Sequence, residues 1–159
     1  MKKIFLGLCV LVFLGGCKEG SPDLTGFVPS YFPIKEIAYS KSLVTYPCSV
    51  NVYLLEEGFQ QKFSEDMLDK ARRGRDAYEY RYEPIYSPWE KSPVDEKTNT
   101  GASVNSAWVS TWPCFEDQPL YLQILRKYAS SPGAYYTNSG GSTLFYIPKE
   151  NLVAFTIWD

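Results

Sequence analysis

Residues 134–158, AYYTNSGGSTLFYIPKENLVAFTIW, decide the fold of this chain. Three runs rich in apolar and β-branched residues, 134–137, 143–147 and 152–158, are separated by two groups of turn-forming residues. The two groups are Asn138-Ser139-Gly140-Gly141 and Pro148-Lys149-Glu150-Asn151. Connections this short join antiparallel strands, so the sequence predicts two consecutive β-hairpins.

A further strand is predicted over 43–55. Apolar residues recur there at every second position and so share one face of a strand: Val44, Tyr46, Cys48, Val50, Val52 and Leu54. Pro47 cannot donate a hydrogen bond to a neighbouring strand. We therefore expect an edge position or a break at that residue.

Two more segments alternate with the same period. In 77–86 the tyrosines share one face and charged residues the other; the tyrosines are Tyr78, Tyr80, Tyr82 and Tyr86. In 103–112 the residues in phase are Val104, Ser106, Trp108, Ser110 and Trp112. Because this period is typical of half-buried strands, we predict a strand in each segment, with a long loop over 87–101 between them.

Two helices are predicted from apolar residues at helical spacing. In 59–74 these are Phe59, Phe63, Met67 and Ala71, with Ser64 as an alternative N-cap. In 117–129 they are Leu120, Ile124 and Tyr128, preceded by Asp117 as the N-cap. The helix dipole accounts for the basic residues near the end of the first helix, Arg72, Arg73 and Arg75, for which an anion site is the other interpretation.

Together these segments predict an α+β domain. We expect a mainly antiparallel sheet of five or six strands, with the two helices on one face. Small domains of this class perform many functions, so the fold by itself implies no activity.

The chain contains no histidine. This excludes Ser-His-Asp and Cys-His catalysis and any metal site ligated by histidine. The adjacent carboxylates lie in predicted turns, loops or helix starts, where acidic residues are expected without catalysis; they are Glu56-Glu57, Glu65-Asp66, Asp95-Glu96 and Glu116-Asp117. We therefore predict no catalytic residue, no cofactor and no metal, with a carboxylate-based cell-wall hydrolase as an alternative.

A short apolar run, 4–14, follows Lys2 and Lys3 and is shorter than the roughly 20 residues that a membrane-spanning helix needs. The run ends in Leu14-Gly15-Gly16-Cys17, which resembles the lipobox of bacterial lipoproteins. The resemblance implies cleavage before Cys17, a diacylglyceryl group on its sulfur and acylation of its new amine. An uncleaved apolar helix and an unanchored secreted protein are the alternatives.

The resemblance divides the chain into a signal peptide over 1–16, a lipidated cysteine with its tether over 17–33, and a periplasmic domain over 34–159. The glycines and prolines of the tether support this division. Aromatic residues at Phe27, Tyr31 and Phe32 indicate that some of the tether packs on the domain.

The residue after the lipidated cysteine is Lys18, and an aspartate is absent there. By resemblance to the sorting pattern of enterobacterial lipoproteins, this favours the outer membrane over the inner one. The remaining cysteines of the exported domain, Cys48 and Cys114, are expected to form a disulfide in an oxidising compartment. Two buried free thiols are the alternative.

Aromatic side chains are the remaining compositional signal, with 13 Tyr and 4 Trp. Tyr and Trp are enriched at interfaces and sugar-binding faces, so three groups are candidate contact residues: Tyr78 with Tyr80 and Tyr82, Trp108 with Trp112, and Trp89. For the first two groups, core and cross-strand packing is the favoured interpretation. Trp89, in the proline-rich loop, is the residue least easily explained as core.

These observations predict a non-enzymatic envelope lipoprotein that is anchored to the membrane and binds another protein in the periplasm. The chain has 16 basic and 18 acidic residues and no long basic stretch, so we do not expect nucleic acid as a partner. The architecture resembles small immunity lipoproteins that neutralise periplasmic toxins, and also exclusion and envelope-assembly lipoproteins. A module that binds a glycan, peptide or lipid on its aromatic surface is the second interpretation.

Overall fold

The C-terminal hairpins form the middle of an antiparallel sheet. The computed structural model of the chain describes residues 24–43, 48–75 and 84–158. Within these ranges the six strands are β1 (Ile34–Leu43), β2 (Cys48–Leu55), β3 (Glu90–Lys91), β4 (Tyr135–Ser139), β5 (Ser142–Ile147) and β6 (Leu152–Trp158). They lie in the order β1-β2-β6-β5-β4-β3, and every neighbouring pair is antiparallel. The predicted α+β class is confirmed.

Both predicted hairpins are present, and left-handed residues close each of them. Gly140 and Gly141 join β4 to β5 with φ angles of 47° and 88°, which residues with a Cβ rarely adopt. Between β5 and β6 a 3₁₀ turn, Pro148–Glu150, ends at Asn151, whose φ is 51°. The Asn151 side-chain amide donates to the backbone oxygen of Leu55 at 2.8 Å, which ties this turn to the end of β2.

The strand predicted over 103–112 is wrong, because these residues lie mainly in helix α3, Asn99–Ser110. Thr98 caps this helix: its hydroxyl oxygen accepts a hydrogen bond from the backbone N–H of Gly101 at 2.9 Å. The buried residues of α3 then recur at helical spacing and are Thr100, Gly101, Val104, Ala107 and Trp108.

The helix predicted over 59–74 is broken into two short helices, α1 (Phe59–Lys62) and α2 (Asp66–Lys70). Between them Phe63 has an extended backbone, with φ −66° and ψ 132°. The ring of Phe63 packs 4.7 Å from the ring of Tyr146 in the core. The chain therefore leaves helical geometry where this side chain turns towards the sheet.

The second predicted helix is confirmed as α4, Pro119–Ser130. Its N-cap is Gln118 rather than Asp117, whose carboxylate pairs instead with Lys41. Leu120, which the sequence places on the buried face, is 60% exposed. The side chains that α4 buries are Leu125 and Tyr128.

The two edge strands, β1 and β3, are absent from the sequence prediction. The pairing of β1 with β2 shifts register twice, between Ile34 and Glu36 and between Ile37 and Tyr39. These irregularities break the period-two pattern from which a strand is predicted. β3 has only two residues, Glu90 and Lys91, and lies inside the predicted loop.

The sheet is covered on both faces. α3, α4 and the 3₁₀ turn Trp112–Phe115 cover one face, in a core that includes Val52, Trp108, Phe115 and Phe145. Residues 24–32, α1 and α2 cover the other, in a core that includes Phe27, Phe32, Tyr53, Tyr146 and Phe155. The two longest helices thus share a face, whereas the segment predicted as the first helix lies on the opposite one.

Residues 24–33, within the segment predicted as a tether, pack on the folded domain. The buried members of this segment are Leu24, Phe27, Val28 and Phe32, whereas Tyr31 is 40% exposed. The folded domain therefore includes residues that a boundary at 34 leaves out. This packing places part of the predicted tether against the sheet, as its aromatic residues suggested.

Several sequence predictions lie outside the described residues. They are the signal peptide over 1–16, Cys17, the break expected at Pro47 with its neighbours Val44 and Tyr46, and the tyrosines Tyr78, Tyr80 and Tyr82. From the strand predicted over 77–86, Ile85 forms an isolated bridge with Arg73, and Tyr86 is buried. Across the described part of the chain, none of the helices has the length and apolar character needed to cross a membrane.

Candidate functional site

A groove lies between α3, α4 and the loop that precedes α3. Its volume is about 590 Å³, and ligand-binding pockets usually measure roughly 300–1,000 Å³. We call it the α3–α4 groove; its lining includes Val94, Glu96, Val109, Trp112, Arg126 and Ala129. Because it contains one of the tryptophan pairs singled out from the sequence, it is the first candidate for a functional site.

The Trp112 indole lies against the guanidinium of Arg126 in this groove. The Cζ atom of Arg126 is 3.9 Å from the centroid of the Trp112 ring, within the range of a cation–π contact. The Nε1–H of Trp112 is buried and makes no hydrogen bond within the described residues. Such an unpaired buried donor costs about 1–3 kcal/mol of stability.

Trp108 supports the groove from the core side. Its side chain is only 4% exposed, and its ring packs edge-on against Phe115 at 6.0 Å and Phe145 at 5.8 Å. The two indole rings, Trp108 and Trp112, meet at 6.4 Å. The structure thus brings the predicted pair together: both indoles line the groove, and Trp112 is the more exposed of the two.

The rim of the groove combines polar and apolar side chains. The Asn105 amide donates to Glu96 Oε1 at 2.9 Å and links α3 to the loop before it. Val109, on α3, is 47% exposed. An exposed apolar residue beside a cation, a carboxylate and an amide is the mixture found at protein–protein interfaces.

A hydrogen-bond network around Tyr136 holds the loop wall of the groove. The Tyr136 hydroxyl donates to Glu90 Oε2 at 2.7 Å and accepts from the backbone N–H of Asp95 at 3.2 Å. The Thr98 hydroxyl also donates to Glu90 Oε2, at 2.8 Å. Burial is the main cause that raises the pKa of Tyr136 to about 12.

A disulfide and an edge strand fix the connection between α3 and α4. The predicted pair Cys48 and Cys114 is bonded, with an S–S distance of 2.11 Å, and joins β2 to the turn that follows α3. The Tyr39 hydroxyl of β1 donates to the backbone oxygen of Cys114, and Lys41 pairs with Asp117. These contacts position the turn that carries the groove's indole ring.

No protein-family model, curated protein or solved structure matches this chain. Its site must therefore be interpreted from its own chemistry. Over 24–43, 48–75 and 84–158, no group of three or more Cys, Asp or Glu side chains is arranged to hold a metal ion.

Trp89, the third aromatic candidate, is tied to the opposite core. Its indole N–H donates to the backbone oxygen of Ala71 at 2.9 Å, and its ring lies 5.7 Å from the ring of Phe32. It borders a smaller pocket of about 220 Å³ beside α2. Because its polar atom is already bonded inside the domain, Trp89 has a structural explanation.

The pocket beside Trp89 is acidic, and one of its carboxylates is paired within the domain. Glu65 accepts a hydrogen bond from the Tyr135 hydroxyl at 3.0 Å and pairs with Lys91 at 2.8 Å. The Lys91 hydrogen bond is the main cause that lowers the pKa of the Glu65 carboxyl.

The sequence analysis does not single out several groove residues, among them Asn105, Val109 and Arg126. In the strand interpretation of 103–112 the first two fall on the face away from the tryptophans. Arg126 is explained by the helix dipole, since it lies near the C-terminal end of α4. The available signal was its position within the apolar stripe of α4, between Leu122 and Ala129.

Proposed function

We propose that this chain is a lipid-anchored envelope protein whose folded domain binds another protein through the α3–α4 groove. The observation that carries the proposal is the contact of Arg126 with Trp112 in the lining of the groove. Trp and Arg are among the residues most enriched at interface hot spots. Val109 extends this site with an exposed apolar side chain.

The anchor in this proposal is Cys17, on the basis of the lipobox resemblance. The disulfide between Cys48 and Cys114 supports export, because such bonds persist in oxidising compartments. Lys18 favours the outer membrane, with the domain facing the periplasm. The proposed protein is thus held at a membrane surface and acts by recognition.

The partner class suggested by the architecture is a toxin that acts in the periplasm, with this chain as its immunity protein. A signal peptide, a lipid anchor and one disulfide-bonded domain are common to small immunity lipoproteins. A groove of about 590 Å³ has room for a few side chains of such a partner.

Co-expression with the products of the genes adjacent to its own tests this function. We expect one product to inhibit growth when exported, the full chain to restore growth, and the two proteins to elute as one complex. Val109→Glu places a charge at the contact and should abolish both the rescue of growth and the formation of the complex. The matched control is Leu120→Glu, also at an exposed apolar residue but outside the groove, which should retain them. No rescue and no complex, or equal loss in both variants, contradicts the proposal.

A ligand-binding module is the second candidate, and the indole ring of Trp112 in the lining of the groove favours it. Peptidoglycan fragments carry sugar rings, which pack on aromatic side chains such as this indole. Their titration should then produce a saturable change in tryptophan fluorescence that Trp112→Phe removes. A flat response in the parent protein eliminates this candidate and leaves protein binding.

A further inference from the structure

The N-terminal end of the described chain is attached to the sheet face opposite the α3–α4 groove. Leu24 and Phe27 are buried in the second core, where the ring of Phe27 stacks on Phe155 at 5.1 Å. The groove's Trp108 belongs to the first core, across the sheet. The chain therefore enters the domain on the side away from the groove.

The covalent length of the chain limits how far this side can lie from the anchor. Leu24 is the seventh residue after Cys17. At no more than about 3.6 Å per residue, the two Cα atoms lie within about 25 Å of each other whatever path the chain takes. A lipid on Cys17 therefore keeps the Leu24 side of the domain close to the bilayer.

Three chain segments lie side by side next to this entry point. Pro29 forms an isolated bridge with Gly74, and Arg73 forms one with Ile85. The Arg75 guanidinium donates to the backbone oxygen of Phe32. These contacts assemble one surface from residues that are distant in sequence.

The side chains on this surface are cationic, aromatic and aliphatic. Tyr31 is 40% exposed and Ile85 is 57% exposed, and the side chains of Arg73 and Arg75 also reach solvent. We call these four residues the basal surface. Tyr is enriched at the headgroup level of membranes, and guanidinium groups pair with phosphates.

We propose that the basal surface rests on anionic phospholipid headgroups of the membrane that holds Cys17, so that the α3–α4 groove faces away from the bilayer. The inference rests on the lipid anchor of the proposed function. The chemistry of the four side chains and the short reach from the anchor carry it together. The arrangement leaves the groove open to a partner arriving from the periplasm.

Fluorescence quenching in vesicles tests this orientation. The full acylated chain is reconstituted in phosphatidylethanolamine with phosphatidylglycerol, and nitroxides on the lipid headgroups serve as quenchers. A fluorophore is placed on Tyr31→Cys, on Ile85→Cys, or on Val109→Cys at the groove. We expect strong quenching at positions 31 and 85 and little at 109, with the difference reduced when phosphatidylcholine replaces both lipids.

A charge variant separates the electrostatic contribution from tethering. Arg73→Gln should lower the ratio of docked to undocked domain by about fivefold, the effect of one cation near an anionic membrane surface. Lys97→Gln, at an exposed lysine in the loop before α3, should leave that ratio unchanged. Isolated-domain unfolding curves of both variants check that each still folds.

Two results overturn the inference in different ways. The orientation is contradicted if quenching is equal at positions 31 and 109, or if quenching at position 31 is the same with and without anionic lipid. Either result leaves the anchor and the groove proposal intact. If the chain does not float with vesicles and its mass shows no acyl group, the anchor itself is contradicted. The proposed orientation is then contradicted as well, because it depends on the anchor.

Discussion

The guanidinium carbon of Arg126 lies 3.9 Å from the centre of the Trp112 ring, and the two residues belong to different elements joined by a short connection. The contact links α4 to the turn that follows α3. It therefore sets both the width of the groove and the face of the indole that a partner can reach. Its removal should affect stability slightly and recognition strongly.

Arg126→Ala should lower the free energy of unfolding by about 0.5–1 kcal/mol, the usual contribution of an exposed cation–π contact. Urea unfolding of the purified protein measures this change. Gln123→Ala, at an exposed position of α4, is the matched control and should lose less. Equal stability of the two variants would show that the contact contributes nothing.

Removal of the disulfide by the double substitution Cys48→Ser and Cys114→Ser should cost about 4 kcal/mol on the chain-entropy model, since the bond closes a loop with a sequence separation of 66. Chemical unfolding with and without a reductant measures the loss. Reductant should destabilise the parent chain and leave the double variant unchanged. A parent chain insensitive to complete reduction would contradict this role.

Gly101→Ala tests the contact between α3 and the loop before it. A Cβ on Gly101 would lie 1.9 Å from the backbone oxygen of Asp95. We expect a loss of about 1–3 kcal/mol from this overpacking, although Gly to Ala inside a helix normally stabilises by about 0.5–1 kcal/mol. Thermal or urea unfolding shows whether the free energy of unfolding falls or rises, with Ser103→Ala as the exposed control on the same helix. A stabilised Gly101→Ala protein would refute the close approach.

The C-terminal hairpins could be predicted because local and tertiary signals agree there. The Gly140-Gly141 pair meets the φ requirement of its turn, and the flanking residues have the spacing of strands. The helix in 103–112 could not be predicted, because Trp108 and Trp112 lie on the same side of the segment whether it is a strand or a helix. The choice depends on the Thr98 cap and on the packing of Gly101 against the preceding loop.

The candidate site could be predicted only in part, for a related reason. Trp112 is conspicuous as a residue type, so composition alone indicated it. Arg126 has a sufficient local explanation in the helix dipole, and only the tertiary packing of α4 places it over an indole. Trp89 is the opposite case: its residue type indicated a contact residue, but its hydrogen bond to Ala71, which the sequence does not reveal, gives it a structural role.

Alkaline pH should weaken the network behind the groove through Tyr136. Its pKa is about 12 in the folded chain against an ordinary value of 10.0. Because the unfolded chain releases this proton first, the contribution to stability is complete below pH 10 and is lost as pH rises towards 12. Tyr136→Phe should therefore show a shallower fall in unfolding free energy over that window than the parent or Tyr31→Phe. Identical slopes for all three proteins would contradict this assignment.

In-cell photo-crosslinking from the rim of the groove tests the central claim most directly. A photoreactive residue at position 109 of the full chain should give a discrete adduct with one envelope protein, and Arg126→Glu should remove it. The same photoreactive residue at position 120, also an exposed apolar site, should give none. Adducts of equal yield from both positions, or an adduct at 109 that survives Arg126→Glu, would contradict recognition through the α3–α4 groove.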